Sequence, residues 1–132
     1  MFDKRSLLQR LKELPFPQKD YWVVAGGAMV LHGFRPQTND IDLGCSTLLA
    51  DKLEHQGCRV SHCDDGTRKI LYSENIEIYE NWIEGTVEMI SGVPVVCVEG
   101  LIQMKKKLGR EKDLADIALI EAGAIKTLNL KK

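Results

Sequence analysis

Residues 21–46 read Tyr-Trp-Val-Val-Ala-Gly-Gly-Ala-Met-Val-Leu-His-Gly-Phe-Arg-Pro-Gln-Thr-Asn-Asp-Ile-Asp-Leu-Gly-Cys-Ser. Tyr21 to Val24 is a short aromatic and β-branched run, the composition of a buried strand. Gly26 and Gly27 then let the backbone turn sharply into a helix, expected from about Ala28 to His32. Glycines at that point leave the first amides of the helix bare, and bare amides at the positive end of a helix dipole favour phosphate. After Gly33-Phe34 and a turn through Pro36, the chain is expected to enter a second strand at Asp40-Ile41-Asp42-Leu43. Strand alternation puts Asp40 and Asp42 on one face and Ile41 and Leu43 on the other. Two neighbouring carboxylates repel each other unless a cation sits between them, and a hard divalent ion such as Mg²⁺ takes such an oxygen pair. The stretch thus offers a phosphate cradle and a metal seat. Each half is ambiguous alone, because a solvated edge strand also gives Asp-x-Asp and tight turns into helices commonly carry Gly-Gly. Their order, strand, turn, helix and strand, is what joins them.

At these residues the chain resembles the nucleotidyltransferase superfamily, whose signature is a glycine pair followed by two acids flanking one apolar residue, here Gly26-Gly27 and Asp40-Ile41-Asp42. Within it, Arg35-Pro-Gln-Thr38-Asn-Asp40-Ile-Asp42 is similar to small bacterial branches related to antibiotic nucleotidyltransferases and to the enzyme-like halves of some toxin–antitoxin pairs. A second block, from Gly100 through Lys105, Gly109, Arg110, Lys112 and Asp113 to Asp116, resembles the same branch: a lysine on one helix, then Arg-x-Lys-Asp-x-x-Asp opening the next. The resemblance implies an α/β fold, a twisted mixed sheet with packed helices. It also implies two Mg²⁺ ions, or Mn²⁺, on Asp40, Asp42 and a third acid, with Gly26, Gly27, Arg35, Thr38, Lys105 and Lys112 toward the nucleotide.

The third acid matches Glu77 in Ile76-Glu77-Ile78: if the isoleucines face the core, Glu77 faces the side of the aspartates, provided the two strands lie together. Glu88, in Thr-Val-Glu-Met, is the rival with the same apolar-acid-apolar reading, and Glu80 falls on the opposite face from Glu77. Family members often carry aspartate at this position, so the longer Glu77 changes its reach to the metals.

At 132 residues the chain is expected to form one domain over residues 1–132, burying about two-thirds of the surface of its unfolded form. Eighteen basic against nineteen acidic residues leave a formal charge of −1, which supplies no global attraction to nucleic acid or to anionic membranes. The start, Met-Phe-Asp-Lys-Arg, lacks a signal peptide's apolar core, no run approaches a membrane span, and a cytoplasmic location is expected. Cys45, Cys58, Cys63 and Cys97 include no Cys-x-x-Cys pair and read as core residues or free thiols in a reducing compartment. Cys58, His62 and Cys63 lie close in sequence, but a strand would throw His62 and Cys63 to opposite faces, and no fourth zinc ligand has suitable spacing.

Around the central stretch, Leu7, Leu8, Leu11 and Leu14 mark a packing helix over Asp3 to Leu14, stopped by Pro15 and Pro17. Thr47 can cap a helix to Gln56 that Gly57 ends. Strands are expected at Cys58 to Cys63, Arg68 to Tyr72 and Ile76 to Tyr79, with a hairpin turn at Asp64-Asp65-Gly66. Val93 to Val98 reads as a last buried strand, followed by helices from about Glu99 to Leu108 and Glu111 to Ala122, joined at Gly109. Lys105, Lys106 and Lys107 form either a solvated face or, at Lys105, a cation for triphosphate or leaving-group charge. Asp113 and Asp116 suit the start of a helix dipole and read as structural, pairing with Lys105 or Arg35.

The implied reaction transfers a nucleoside monophosphate from a nucleoside triphosphate to a hydroxyl of a small molecule or protein, releasing pyrophosphate. The alternative is a non-catalytic nucleotide-binding or antitoxin-like partner protein of the same fold; either reading is compatible with a homodimer or a protein partner. A purely structural domain that binds no nucleotide is the third reading.

Overall fold

In the computed structural model, which describes the backbone of residues 1–130 and the side chains of residues 1–123, the elements follow the chain as β1 (Phe2–Asp3), α1 (Lys4–Lys12), β2 (Tyr21–Val24), α2 (Ala25–Leu31), β3 (Gln37–Thr38), β4 (Ile41–Cys45), α3 (Thr47–His55), β5 (Arg59–His62), β6 (Arg68–Ser73), β7 (Ile76–Glu80), β8 (Val87–Ile90), β9 (Val93–Val96), α4 (Val98–Leu108) and α5 (Glu111–Leu130). Among the described residues, no helix is long and apolar enough to cross a membrane.

Seven strands form one mixed sheet in the order β5-β6-β7-β4-β2-β9-β8. At its centre β4 runs antiparallel to β2 and parallel to β7, and β2 runs parallel to β9. Central β4 and its neighbour β7 alternate as expected: Ile41, Leu43, Ile76 and Ile78 are fully buried, while Asp42 and Glu77 point to the other face. Helices α1 and α2 close the apolar face, for Leu7 of α1 lies against Gly27 of α2, which lies against Val23 of β2. The helices α4 and α5 stand over the polar face: Gly100 of α4 packs on Val96, and no Cβ would fit there, since it would meet the Glu84 carbonyl oxygen at 2.0 Å.

The helix ends obey local chemistry. Asp3 and Ser6 form a capping box that starts α1, and Phe2 and Asp3 also pair with Thr38 and Gln37 as a two-stranded ribbon. Ser46, not Thr47, caps α3 by accepting the Leu49 N–H, because β4 runs on to Cys45 and leaves Ser46 at the boundary. Cys97 caps α4 through its sulfur, so the strand expected to reach Val98 ends at Val96. Gly109, at φ +62°, closes α4, and α5 extends to Leu130, past the expected end at Ala122. The Asp64-Asp65-Gly66 turn forms with Gly66 at φ +87° and Asp65 accepting the Thr67 N–H.

The turn from β2 into α2 differs from its expectation in a telling way. The helix starts at Ala25, three residues early, and Ala25 itself takes the left-handed conformation, φ +55°. Gly26 and Gly27 are not what permits the turn; they permit close approach. A Cβ on Gly26 would lie 2.6 Å from the Thr38 hydroxyl, and one on Gly27 would lie 2.9 Å from a Val23 methyl.

Candidate active site

A cleft of 630 Å³ opens between the polar face of the sheet and the α4–α5 pair. Its floor is laid out by register. Asp42 stands opposite both Val24 of β2 and Glu77 of β7, and two residues further along, Gly44 stands opposite Trp22 and Tyr79. Residues in register share a face, so β2, β4 and β7 display an acidic row followed by an aromatic row. Asp40, one residue before β4, and Gly26, Arg35 and Thr38 border the acidic end, where the Thr38 hydroxyl donates to the Asp40 carbonyl at 3.1 Å. Glycine at position 44 is required: a Cβ there would lie 2.0 Å from the Trp22 indole nitrogen, which donates to the Trp82 carbonyl at 2.8 Å.

The electrostatics mark the acidic row. Burial, then the charges of Glu77 and Asp40, push the Asp42 carboxyl up to about 6, against the opposing pull of Lys69 and Lys112. Glu77 is held from the aromatic side: the Tyr79 hydroxyl donates to its Oε2 at 2.6 Å, and Lys69 Nζ lies 3.4 Å away. Burial, then that donated hydrogen bond, raise the Tyr79 hydroxyl well above its ordinary range. Among the described residues no group of three His, Cys, Asp or Glu side chains is gathered closely enough to hold a metal ion. The chemistry of the donor set nonetheless fits a hard divalent cation, since it consists of carboxylate oxygens whose mutual repulsion already shows in Asp42.

The opposite wall carries the cations. Lys112 and Arg110 line the cleft from the start of α5. Lys105 is buried at 5% exposure, and its Nζ donates to Asp116 Oδ2 at 2.9 Å, while Arg35 donates to Asp116 Oδ1 at 2.6 Å. One carboxylate thus ties α4, α5 and the segment after α2 together. Asp113 receives Arg110 at 2.7 Å and stands 4.0 Å from Lys105, so its nearest partner is the arginine just before α5, with the expected Lys105 second.

The structure brings Gly26, Arg35, Thr38, Asp40, Asp42, Glu77, Lys105 and Lys112 to one cleft, and Gly27 does not line it. Gly27 turns to the core, where Val23 and Leu7 press on it. Glu88 stands on edge strand β8, three strands from β4, and approaches His32 at 3.7 Å, so register assigns the acid beside Asp42 to Glu77. Glu80 lies on the far face, where Arg68 holds its carboxyl down at about 2. Tyr79, Trp82, Trp22 and Lys69 escaped the sequence reading; the signal was Tyr79, two residues beyond Glu77 as Gly44 is beyond Asp42.

No family model matches the chain, and no curated protein matches it. Among solved structures, the chain is similar to a Thermotoga maritima protein described as an inferred nucleotidyltransferase, at 16% identity and a TM-score of 0.56, over 97% of this chain and 91% of that one. The fold is of the nucleotidyltransferase type. In this chain the paired strands β4 and β7 give the sheet its polar centre, and the cleft lies over it.

Proposed function

We propose that the cleft binds a nucleoside triphosphate with a divalent cation and transfers the nucleoside monophosphate to a hydroxyl acceptor, releasing pyrophosphate. The observation that carries this reading is Asp42 in register with Glu77, with Asp40 preceding, facing a wall of Arg35, Lys105, Arg110 and Lys112 across one cleft. Acids that gather cations and cations that gather phosphates then meet over the same floor. The sequence resemblance to small bacterial nucleotidyltransferases supports the same reading, and Mg²⁺ or Mn²⁺ suits the oxygen donors.

Asp40 and Asp42 would hold the cation, with Glu77 either completing the set or taking the acceptor's proton. A bound divalent cation would supply charge neutralisation at the triphosphate and a more acidic attacking hydroxyl. Gly26 leaves room for phosphate against the first turn of α2, where a side chain would collide with Thr38. Arg35 reaches the phosphate end with its direction fixed by Asp116, and Lys112, exposed, adds positive charge at the rim.

A second reading, a nucleotide-binding partner without turnover, draws on Glu77, whose carboxylate is already engaged by Tyr79 and Lys69. Screening pyrophosphate release over four nucleoside triphosphates, with Mg²⁺ and a panel of hydroxyl acceptors, separates the two. Release with one nucleotide and acceptor supports transfer; tight nucleotide binding without release in any combination supports the partner.

A further inference from the structure

A second cavity, of 280 Å³, adjoins the cleft and is lined by Cys63, Asp65, Thr67, Tyr79, Glu80, Asn81 and Trp82. Tyr79 and Trp82 line both spaces. Resting on the transfer reading above, we propose that this cavity seats the acceptor, a single-ring compound bearing the hydroxyl that attacks.

In an in-line displacement the attacking and leaving oxygens lie on opposite sides of the phosphorus. Along the floor the order is Gly26, Thr38 and Asp40, then Asp42 with Glu77, then Gly44 with Trp22 and Tyr79, and finally Trp82 beyond the end of β7. At about 3.3 Å per strand residue, Asp40 to Gly44 spans roughly 13 Å. Gly26, with Thr38 and Arg35 against it, lies at one end of that line, and the transfer reading sends pyrophosphate out past Arg35 there. The attacking oxygen therefore arrives from the Tyr79–Trp82 end, where the second cavity opens.

The lining chooses the class. Tyr79 and Trp82 meet edge to face with centroids 5.0 Å apart, and Lys69 Nζ stands 5.7 Å over the Tyr79 ring, so the pair makes an angled aromatic shelf whose Trp82 side suits the flat face of a ring or the C–H face of a sugar. The shelf is fixed from below by the Trp22 bond to the Trp82 carbonyl and from the side by the Tyr79 bond to Glu77. Glu80 is committed to Arg68, and Asp65 Oδ1 to Thr67, which leaves Asp65 Oδ2 and the Asn81 carbonyl oxygen as acceptors for ring hydroxyls. The volume falls just below the roughly 300–1,000 Å³ typical of small-molecule sites, room for one ring.

The step balances without a further reactant. The acceptor oxygen forms a bond to the α-phosphorus as the bond from that phosphorus to the bridging oxygen breaks, and pyrophosphate leaves with the electron pair. The hydroxyl proton passes to the Glu77 carboxylate, which stands between Asp42 and the shelf.

Cys63 gives a clean test, because it is exposed, lines only the second cavity and lies outside the proposed catalytic set. Cys63→Trp would fill the cavity, and Cys63→Ser would leave it open. The probes are myo-inositol, glucose and phenol, with glycerol as the open-chain control, and the readouts are Mg²⁺–nucleotide affinity by calorimetry and pyrophosphate release. The expected result is release stimulated by a ring alcohol in wild type and Cys63→Ser, reduced roughly tenfold or more in Cys63→Trp, with nucleotide affinity unchanged. Stimulation that survives in Cys63→Trp, or no ring alcohol that stimulates a wild type already releasing pyrophosphate to water, would overturn the assignment. Weaker nucleotide binding in Cys63→Trp would give the cavity to the nucleoside instead. Failure of the wild type to bind any nucleoside triphosphate would remove the transfer reading itself, and this inference with it.

Discussion

Asp42 and Glu77 stand side by side on parallel neighbouring strands, in direct register. On this half-buried floor burial, then the charges of Glu77 and Asp40, push the Asp42 carboxyl up to about 6. The folded form thus holds a proton on Asp42 more tightly than the unfolded chain does. The contribution of this group to stability is then greatest below about pH 4 and is lost as pH rises to about 6, by up to roughly 3 kcal/mol. Without metal, Asp42→Asn should flatten that fall and be the more stable protein at pH 7. Urea unfolding in chelator between pH 4 and 8 reads this, and an unchanged slope in the mutant would refute it.

The two glycines of the β2–α2 turn should separate binding from stability. Gly26→Ala puts a Cβ 2.6 Å from the Thr38 hydroxyl, at the phosphate end of the cleft, and should weaken triphosphate binding with little effect on folding. Gly27→Ala presses on Val23 and should cost about 1–3 kcal/mol of stability, the usual price of overpacking, while sparing affinity in the folded fraction. Calorimetry with Mg²⁺ and nucleotide beside thermal unfolding distinguishes them, and reversed effects would contradict the geometry.

Much of this arrangement was legible beforehand, and the reasons differ by residue. Ile41, Leu43, Ile76 and Ile78 alternate with acids, so strand period and face could be read directly. That the two strands are neighbours could not, because adjacency in a sheet is a long-range fact; only the family resemblance pointed to Glu77. The start of α2 differs from its expectation because Ala25, and not a glycine, bears the left-handed conformation, while the glycines serve close packing. Short β1 and β3, two residues each, carry no period to detect. Tyr79 and Trp82 carry no motif in the sequence; their place follows from register, with Tyr79 opposite Gly44 two residues beyond the Asp42–Glu77 pair.

Asp116 carries an unusual share of the site's architecture, since it accepts from Lys105 and Arg35 while itself only 4% exposed. Asp116→Asn leaves the buried Lys105 ammonium with only Asp113, 4.0 Å away, as counter-charge and should cost about 2–3 kcal/mol. Lys105→Met combined with Asp116→Leu should recover part of that loss, because an apolar pair leaves no buried charge unpaired. Denaturant midpoints report both, and a cost below about 1 kcal/mol for the single mutant would show that the bridge contributes little.

The thiols should react in order of environment. Burial, then the nearby Glu80 charge, push Cys45 up to about 12, so it should resist alkylation until the protein unfolds. Cys63, exposed at the hairpin, should label first. Timed alkylation read by mass spectrometry checks this, and early labelling of Cys45 would contradict its placement in the core.

The most direct test of the central claim is the rate of pyrophosphate release by Glu77→Gln beside wild type, at saturating Mg²⁺ and nucleotide. If Asp40 and Asp42 hold the cation while Glu77 serves the chemistry, the mutant binds nucleotide nearly as well yet turns over about a hundredfold more slowly or worse. A mutant that releases pyrophosphate at the wild-type rate would contradict the account.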